Sequence, residues 1–437
     1  MVRATSPDQV AARARRLKSR ATAGEVRLRG LDAPPQRLVA AREGPRGRPL
    51  GKGSPRLQSP GTLAPMYDEL VGCTGSTMRT TRRTALVLPM LLLAGCGASV
   101  AVPPPLPTLP PAPTPALAIS NPQHATLPLD ESPHGDLTEW WYYTGHLAAQ
   151  DGRHYGFELV FFQIRRGDAP PGYEAHFAVT DEHRNTFQFD QRSGSGEQGG
   201  RGPGFDLALG TWRVQGSQGH DSLQAQMANY GINLQLQADK PAVLHGGTGL
   251  IDFGQFGKSY YYSYTRMTVS GTIQDHGQPL TLTGIAWMDH QWGNFIVGSV
   301  GGWDWYALQL ADGSDIMLSF NRDATNRQYF SYGSYVSQSG EATNLTNGTF
   351  SHQATGSWTS PATGIVYPSG WKVQVPTQQL SLILEPTVKN QELAFGGTTS
   401  LDFLDYWEGA VRISGIRAGT AISGQGYVEL TGYRAPT

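Results

Sequence analysis

Asp289 is the residue whose type and setting best fit acid chemistry. It lies in the segment GIAWMDHQWG, which begins at Gly284 and surrounds the carboxyl group with tryptophan, methionine and histidine. Burial among apolar neighbours disfavours the charged form of a carboxyl group and raises its pKa. Such a group keeps its proton near neutral pH and can donate it. Asp289 is therefore the candidate general acid.

The period-two alternation of strands predicts which side chains accompany Asp289. Trp287 points to the same face as Asp289, and His290 points to the opposite face. On the partner strand, the segment YYYSYTRM, one face carries Tyr260, Tyr262, Tyr264 and Arg266, and we expect the hairpin register to bring that face beside Asp289. The predicted catalytic group is Asp289, Trp287, Tyr260, Tyr262 and His290. The predicted ligand-binding group is Tyr264, Arg266, Trp303, Trp305 and Glu139.

Each candidate also has a structural role open to it. An aspartate at the end of a strand often holds the backbone amides of a turn. A carboxylate paired with Arg266 would stay ionised and could not protonate carbon. Glu139 fits either such a pair or the floor of a barrel, and Trp303 fits either a core or the mouth of a pocket.

The charge distribution argues against a nucleic-acid partner. The formal charge is −1 for the 437 residues, but residues 1–77 carry +8 and residues 78–95 carry +3, which leaves −12 for residues 96–437. Phosphate binding draws on clustered Lys and Arg, which this main body lacks. We therefore expect no nucleic acid among the partners.

Several enzyme classes lack their motifs in this sequence. The body contains neither a G-x-S-x-G elbow nor an H-E-x-x-H pair, and it has no P-loop segment and no G-x-G-x-x-G run in the strand context of a dinucleotide-binding site. Cys73 and Cys96 have no metal-ligand neighbours, so a thiolate zinc site and a disulfide framework are not expected. The sequence predicts neither a metal nor a cofactor.

The segment that starts at Met78 has the features of an export signal. The sequence MRTTRRTALVLPMLLLAGC combines a basic flank, an apolar run and small residues directly before Cys96. This pattern is typical of a bacterial lipoprotein signal peptide, here residues 78–95, with the lipid attached to Cys96. We expect an exported protein that is anchored to a membrane of the bacterial cell envelope through this cysteine.

The residues on either side of the signal have low-complexity character. Residues 1–77, rich in Arg, Pro and Gly, are expected to be sequence upstream of the true start, or alternatively a disordered basic arm. Residues 96–120 contain eight prolines between Pro103 and Pro115 and predict an extended tether. The folded body then begins at about Asn121.

The body has the pattern of strands throughout. No window shows a sustained helical period with caps, and turn dipeptides separate the alternating runs. The strongest hairpin signals are Asp151-Gly152, His276-Gly277, Asp312-Gly313 and Asn347-Gly348. We predict an all-β fold of two consecutive antiparallel β-barrels, residues 121–300 and 301–437, because closure removes exposed sheet edges. Small barrels with aromatic interiors commonly enclose one apolar ligand.

Seven segments carry a resemblance to a known family. They are EWWYYTGHL, YGFELVFFQ, HFAVTD, YYYSYTRM, GIAWMDHQWG, YWEGAVRISG and GYVELTGY, and together they span nearly the whole body. The sequence resembles the AttH-like or carotenoid 1,2-hydratase family, also known as predicted secreted hydrolases. The resemblance implies two lipocalin-like barrels, and characterised members of the family include carotenoid hydratases and, more distantly, fungal pericyclases.

The resemblance also implies a role for Asp289. In the hydratases that this sequence resembles, the aspartate of a similar D-H-x-W-G run is the proton donor. Hydration of a C=C bond begins with proton delivery to carbon, and aromatic faces and a carboxylate stabilise the cation until water attacks. The sequence departs from the family pattern at Trp287, where the hydratases carry Tyr, and at Tyr260 and Tyr262, where they carry a His-x-Trp pair.

Two functions from different classes remain open on the sequence. The first is a cofactor-independent hydratase or isomerase that acts on an isoprenoid, polyene or related apolar molecule. The second is a carrier that binds a lipid or another apolar ligand, with Asp289 in a structural role. A glycan binder with exposed tryptophan platforms is a weaker third alternative.

Overall fold

The structure, a computed structural model, describes residues 123–165, 170–195, 197–199, 203–295, 301–396 and 405–434. Within these ranges the chain forms β-strands, turns and four short 3-10 segments, and it contains no α-helix, so the all-β prediction is confirmed. The 3-10 segments are Leu129–Glu131, His245–Gly247, Gly254–Phe256 and Pro376–Gln378. None of the helical segments described is long and apolar enough to cross a membrane.

The predictions for the N-terminal part of the chain lie outside the described residues. They are the upstream segment 1–77, the signal peptide 78–95, the tether 96–120 and the lipidation site Cys96. They remain predictions from the sequence.

The first sheet has thirteen antiparallel strands. They are β1 (Thr138–Ala149), β2 (His154–Ile164), β3 (Gly172–Asp181), β4 (Thr186–Gly194), β5 (Glu197–Gly199), β6 (Phe205–Leu209), β7 (Trp212–Ser217), β8 (His220–Gln226), β9 (Tyr230–Ala238), β10 (Val243–Leu244), β11 (Leu250–Asp252), β12 (Gly257–Asp275) and β13 (Gln278–Phe295). Their order is β4-β3-β2-β1-β13-β12-β9-β8-β7-β6-β5, with β10 and β11 paired to β12. This sheet curls into a nearly closed barrel.

The remaining strands form a ten-stranded sheet and one separate hairpin. They are β14 (Gly302–Leu310), β15 (Asp315–Arg322), β16 (Gln328–Val336), β17 (Ala342–Leu345), β18 (Ser351–Ala354), β19 (Ser357–Thr359), β20 (Val366–Pro368), β21 (Trp371–Val375), β22 (Leu380–Pro386), β23 (Glu392–Leu393), β24 (Tyr406–Arg417) and β25 (Thr420–Leu430). The large sheet has the order β17-β16-β15-β14-β25-β24-β22-β21-β18, with β23 beside β24, and it is a half-barrel. The hairpin is β19 with β20.

Both large sheets follow one topological plan. In each, the first strand pairs with the last, as β1 does with β13 and β14 does with β25, and the next three strands extend the sheet as a meander. The predicted pair of consecutive barrels is thus present, with the second more open than the first. The first sheet ends at Phe295 and the second begins at Gly302, whereas Val300, the predicted seam, lies outside the described residues.

Four hydrophobic clusters of described residues hold these sheets together, and the smallest of them lies around Phe395 and Tyr406. The interior of the first barrel is filled by large aromatic side chains, among them Trp141, Trp212 and Trp292, which are fully buried. The second sheet has its own core around Trp371 and Trp407. A third cluster contains side chains from the outer faces of both sheets, which pack against each other there. Burial of such aromatic residues contributes about 2–3 kcal/mol each.

A β-bulge in β12 changes which residues share a face. Tyr264 pairs with Met288, but Met267 pairs with Ala286, so β12 contains one extra residue between these two pairs. As a result, Met267 points into the first barrel, as Tyr264 does, while Arg266 points out of it. The prediction that Arg266 shares a face with the even-numbered tyrosines is therefore wrong, because it assumed unbroken alternation.

Candidate active site

Asp289 points away from the interior of the first barrel and toward the second sheet. On its own sheet it lies opposite Ser263 of β12 and Tyr142 of β1. Tyr260 and Tyr262 pair instead with Trp292 and His290 and point into the barrel. The prediction that these two tyrosines flank Asp289 is wrong, because the register places the odd-numbered residues of β12 on the face of the acid.

Three side chains donate hydrogen bonds to the carboxyl group of Asp289. The Tyr261 hydroxyl donates to Oδ2 at 2.6 Å, and the Trp287 indole Nε1 donates to Oδ1 at 2.6 Å. The Ser263 hydroxyl donates to Oδ1 as well. The residue is 4% exposed, and none of the described Lys and Arg residues forms an ion pair with it. The prediction that Trp287 and Asp289 share a face is correct.

The environment of Asp289 suits an acid that works near neutral pH. Burial raises the pKa of this carboxyl group to about 7, although the hydrogen bonds from Ser263, Tyr261 and Trp287 oppose the shift. A large fraction of Asp289 is therefore protonated at neutral pH. None of the positive side chains that the structure describes pairs with the group to hold it ionised, which was the condition for an acid role that the sequence analysis gave.

Ser263 connects Asp289 to a buried histidine. His245 Nε2 lies 2.7 Å from the Ser263 hydroxyl oxygen, and His245 Nδ1 lies 2.9 Å from the hydroxyl oxygen of Ser334 on β16. Burial lowers the pKa of His245 to about 3, so the ring is neutral and can donate through one nitrogen while it accepts through the other. The chain of contacts can pass a proton to or from Asp289. Sequence reasoning missed Ser263 and His245.

Three further carboxyl groups occupy the same interface. Glu408 and Glu429 lie opposite each other on β24 and β25, and Glu158 comes from β2 of the first barrel. The Tyr142 hydroxyl donates to Glu408 Oε1 at 2.8 Å, and the Trp303 indole donates to Glu429 Oε2 at 2.7 Å. The first of these bonds joins the two barrels, and the second lies within the second sheet.

These glutamates are held largely uncharged. Burial raises the pKa of Glu158 to about 8 and that of Glu429 to about 7. Burial and the nearby carboxyl groups of Glu158 and Glu429 raise the pKa of Glu408 well above its ordinary value. None of these three glutamates is among the site residues predicted from the sequence. The available signal was a glutamate between apolar residues of a strand, as in YGFELVFFQ.

Aromatic rings from both barrels surround the acids. The Trp305 indole donates to the Tyr261 hydroxyl at 3.0 Å, and its ring meets those of Tyr142 and Trp287 edge to face at 5.3 and 6.1 Å. Trp303 is only partly buried in the same cluster. The structure thus places the predicted residues Trp287, Trp303 and Trp305 around Asp289.

The other predicted residues lie elsewhere. His290 and Glu139 point into the first barrel, where His290 Nε2 lies 2.7 Å from Glu139 Oε1. Tyr264 donates to Glu131 Oε1 at 2.9 Å in the same barrel. Arg266 pairs with Asp315 of β15 at 2.7 Å, and Lys240 pairs with the same carboxylate at 2.6 Å. Arg266 therefore forms an ion pair with neither Asp289 nor Glu139, the two partners that the sequence left open.

One buried group in the first barrel is of the kind that can hold a metal ion. Donor atoms of His134, Glu139 and His290 lie within 4.8 Å of one another. Burial opposes protonation of His134, but Glu139 and Asp130 raise its pKa to about 9, while burial lowers the pKa of His290 to about 4. Hydrogen bonds of 2.7 and 2.8 Å to Glu139 Oε1 account for the arrangement without an ion.

Fold and site together define a class of protein: two antiparallel barrels with a buried acid and aromatic site between their outer faces. The AttH-like family model matches residues 118–433. The chain belongs to the AttH-like family, as the resemblance in the sequence implied.

Solved structures share this fold. The crystal structure of an AttH-type protein from Nitrosomonas europaea is 30% identical, covers 74% of this chain and 100% of its own, and has a TM-score of 0.63. Kievitone hydratase from Nectria haematococca is 18% identical, covers 74% of this chain and 97% of its own, and has a TM-score of 0.59, which shows a common fold. Comparison with the curated proteins finds no match.

Proposed function

We propose that this chain is a cofactor-independent hydratase or isomerase that acts on an apolar, isoprenoid- or polyene-like molecule, with Asp289 as the general acid. The observation that carries the proposal is the Asp289 carboxyl group itself. It is buried, has no Lys or Arg partner among the described residues, has a pKa of about 7 and is surrounded by rings from both barrels. Kievitone hydratase, which shares the fold, supports this reaction class.

Protonated Asp289 would start the reaction by donating its proton to one carbon of a C=C bond. The electron pair of that bond forms the new C–H bond, and the other carbon becomes a cation. The ring faces of Trp287, Trp305 and Tyr142 lie around the acid and can stabilise the positive charge. The Asp289 carboxylate that remains stabilises the cation as well.

Water completes hydration by attack on the cation, and loss of one proton from the bound water then gives the alcohol. A carboxylate can take that proton, and the Asp289 carboxylate left by the first step is suited to do so, because the transfer restores the protonated acid. Ser263 and His245 provide a path by which Asp289 regains a proton. Without water, loss of a neighbouring proton would give an isomer instead.

The composition of the site indicates the kind of substrate. The site combines indole and phenol rings with carboxyl groups that are largely uncharged near neutral pH, so it favours an apolar molecule over an anion. The described residues that contact the acid include no cation for a phosphate or a carboxylate. A polyene or isoprenoid fits both the rings and the reaction.

Mass spectrometry of apolar extracts incubated with the purified protein tests this proposal. We expect a product heavier by one water, or an isomer with a shifted retention time, with the wild type and not with Asp289→Asn. Asp221→Asn is the matched control, because Asp221 is also buried, has a pKa of about 7 and accepts a hydrogen bond from Tyr143 inside the first barrel. This control should keep the activity.

Two outcomes would contradict the proposed role of Asp289 or the proposed enzyme activity. If Asp289→Asn forms product as fast as the wild type, Asp289 is not the acid. If the same unaltered lipid copurifies with the wild type and with Asp289→Asn, and no product forms, the chain is a carrier. In that case the three hydrogen bonds to Asp289 serve the packing of the interface.

We further propose that the chain is exported and anchored to a membrane of the bacterial cell envelope through a lipid on Cys96. The support is the signal pattern of residues 78–95 and the proline-rich tether after it. Metabolic labelling with palmitate should mark the wild type and leave Cys96→Ser unlabelled. Cys73→Ser is the matched control and should remain labelled; equal labelling of Cys96→Ser would contradict the anchor.

A further inference from the structure

Glu429 is the most exposed of the four carboxyl groups that meet between the barrels. Asp289 is 4% exposed, Glu158 is 1% exposed and Glu408 is fully buried, whereas Glu429 is half-buried. Its direct neighbours in the sheet, Trp305 on β14 and Glu408 on β24, are both buried. Because these two strands cover the backbone of β25 on either side, the exposed surface of Glu429 lies on its side chain.

The two carboxyl oxygens of Glu429 have different surroundings. Oε2 accepts the indole N–H of Trp303 at 2.7 Å. None of the described residues donates to Oε1, and this oxygen is not among the buried polar atoms that lack a partner. By contrast, the unpaired oxygens of Glu158 and Glu408 are buried. Glu429 Oε1 is therefore an exposed polar atom with a free position for a hydrogen bond.

The aromatic side chains between the barrels also keep exposed surface. Five of them, from strands β1, β2, β14 and β16, are only partly buried: Trp140, Phe162, Trp303, Phe330 and Tyr332. Flat apolar surface of this kind suits the body of an unsaturated molecule. The interface thus offers a ligand both exposed rings and one exposed carboxyl oxygen.

A short chain of contacts connects Glu429 with Asp289. Trp305 lies directly opposite Glu429 in the sheet, where Cβ atoms are about 5 Å apart. The Trp305 indole donates to the Tyr261 hydroxyl at 3.0 Å, and Tyr261 donates to Asp289 Oδ2 at 2.6 Å. Burial raises the pKa of Glu429 to about 7, and the Asp289 carboxyl adds to this rise, so the two acids are close enough to interact.

The chemistry of Glu429 selects the group that can bind to Oε1. A carboxyl group that titrates near neutral pH is present in both forms there, as a donor when it is protonated and as an acceptor when it is ionised. A hydroxyl group can donate and accept, so it matches both forms. An ether oxygen matches only the protonated form, and a second carboxylate would be repelled by the ionised form. A hydroxyl group is therefore the best partner for this oxygen.

We propose that the substrate of this site carries a hydroxyl group, which binds to Glu429 Oε1 while the reacting C=C bond lies at Asp289. The substrate class is then an unsaturated alcohol or phenol with an apolar body, and not a pure hydrocarbon. This inference rests on the proposed function, because that function places the C=C bond at Asp289. Glu429 determines specificity and transfers no proton in the reaction.

Farnesol and farnesene are the probes, because they share one carbon skeleton and only farnesol has a hydroxyl group. The readout is the indole N–H signal of Trp303 in a ¹H–¹⁵N spectrum of the purified protein, since this N–H donates to the other oxygen of Glu429. We expect farnesol to move that signal in a saturable way. Affinities measured by quenching of tryptophan fluorescence should favour farnesol about tenfold, the effect of one hydrogen bond.

Two substitutions of Glu429 separate the hydrogen bond from the packing. In Glu429→Leu the preference should disappear, and the two probes should bind equally. In Glu429→Gln it should remain, because an amide can also donate and accept. Asp206→Leu is the matched control: it removes another half-buried carboxyl group, on β6 of the first barrel, and should keep the preference.

Three outcomes would overturn the inference. They are equal affinity of the wild type for both probes, binding of neither probe, and an unchanged preference in a Glu429→Leu variant whose spectrum shows that it is folded. These measurements involve no turnover, so they are independent of the test of the enzyme. Product that depends on Asp289, without a preference for farnesol, would reject the hydroxyl group alone. A preference for farnesol without any product would reject the enzyme and retain the hydroxyl site in a carrier.

Discussion

Ser263 lies directly opposite Asp289 in the register of β12 and β13, and its hydroxyl group contacts both the acid and the buried ring of His245. The contact ties the proposed proton donor to a side chain of the second barrel, because His245 in turn contacts Ser334. The acid is thus positioned by one barrel and connected to the other. This relationship explains why neither barrel alone would form the site.

The rate of the proposed reaction should fall as pH rises through about 7. The acid must be protonated to donate, and burial sets the pKa of Asp289 at about 7, so the active form dominates below that pH and is lost above it. A profile of rate against pH from 5 to 9 measures this limb. Glu429 also has a pKa of about 7, so Glu429→Gln is the control. The fall in rate above pH 7 should remain in this variant if Asp289 causes it. A rate that rises with pH in this window would contradict an acid role for Asp289.

Removal of the Tyr261 hydroxyl should move the fall in rate to higher pH. Its hydrogen bond stabilises the charged carboxylate, so Tyr261→Phe should raise the pKa of Asp289 further, by about 1 unit. Tyr262→Phe is the matched control, because the adjacent tyrosine points into the first barrel and contacts His290 instead. An equal shift in both variants would mean that the hydrogen bond to Asp289 is not the cause.

The free energy of unfolding should decrease as pH rises from about 6.5 to about 9. Burial raises the pKa of Asp221 to about 7 and that of Glu158 to about 8. For His134, burial lowers the pKa, but the carboxylates of Glu139 and Asp130 outweigh this effect and raise it to about 9. These folded-state values exceed the unfolded ones, so the folded chain binds more protons, and its stability is lost as pH rises through them. Buried histidines with lowered pKa, such as His245, titrate below this window.

Calorimetric melting temperatures between pH 6 and pH 9 measure this dependence. Each group contributes a slope of up to about 1.4 kcal/mol per pH unit within its own window. The variant Asp221→Asn should flatten the part of the curve between pH 6 and pH 7, because the contribution of this group is already lost above its folded pKa of about 7. A melting temperature that rises steadily to pH 9 would show that these groups are not held in the protonated state.

Asp315→Asn should destabilise the packing of the two barrels. This carboxylate pairs with Lys240 and Arg266 of the first barrel, whose side chains are 5% and 14% exposed. Loss of the shared anion leaves two largely buried cations without it, which costs about 3–5 kcal/mol. Chemical denaturation measures the change.

Asp206→Asn is the control for that experiment. It breaks a pair with Arg213 whose cationic side chain is 49% exposed, and the loss should stay below about 1 kcal/mol. Equal losses of unfolding free energy in the two variants would show that the ion pair between the barrels contributes no more to stability than an exposed pair.

Turn chemistry and strand periodicity predicted much of the fold. Asp151-Gly152 and His276-Gly277 join β1 to β2 and β12 to β13, and their glycines have φ values of 87° and 81°, as the hairpin signals require. The position of Trp287 and Asp289 on the same face of one strand also followed from the alternation of side chains alone. These features depend on neighbours in the chain, which is why the sequence reveals them.

The sequence by itself determined the all-β class, the hairpins and the shared face of Trp287 and Asp289, because each depends on residues close together in the chain. Only the tertiary structure decided that this face meets the second barrel, that a bulge turns Arg266 toward Asp315, and which strands bring glutamates to the site. A shift of one residue in register reverses the face of every side chain. The contacts between Tyr142 and Glu408, 266 positions apart, arise from sheet packing, which local patterns do not encode.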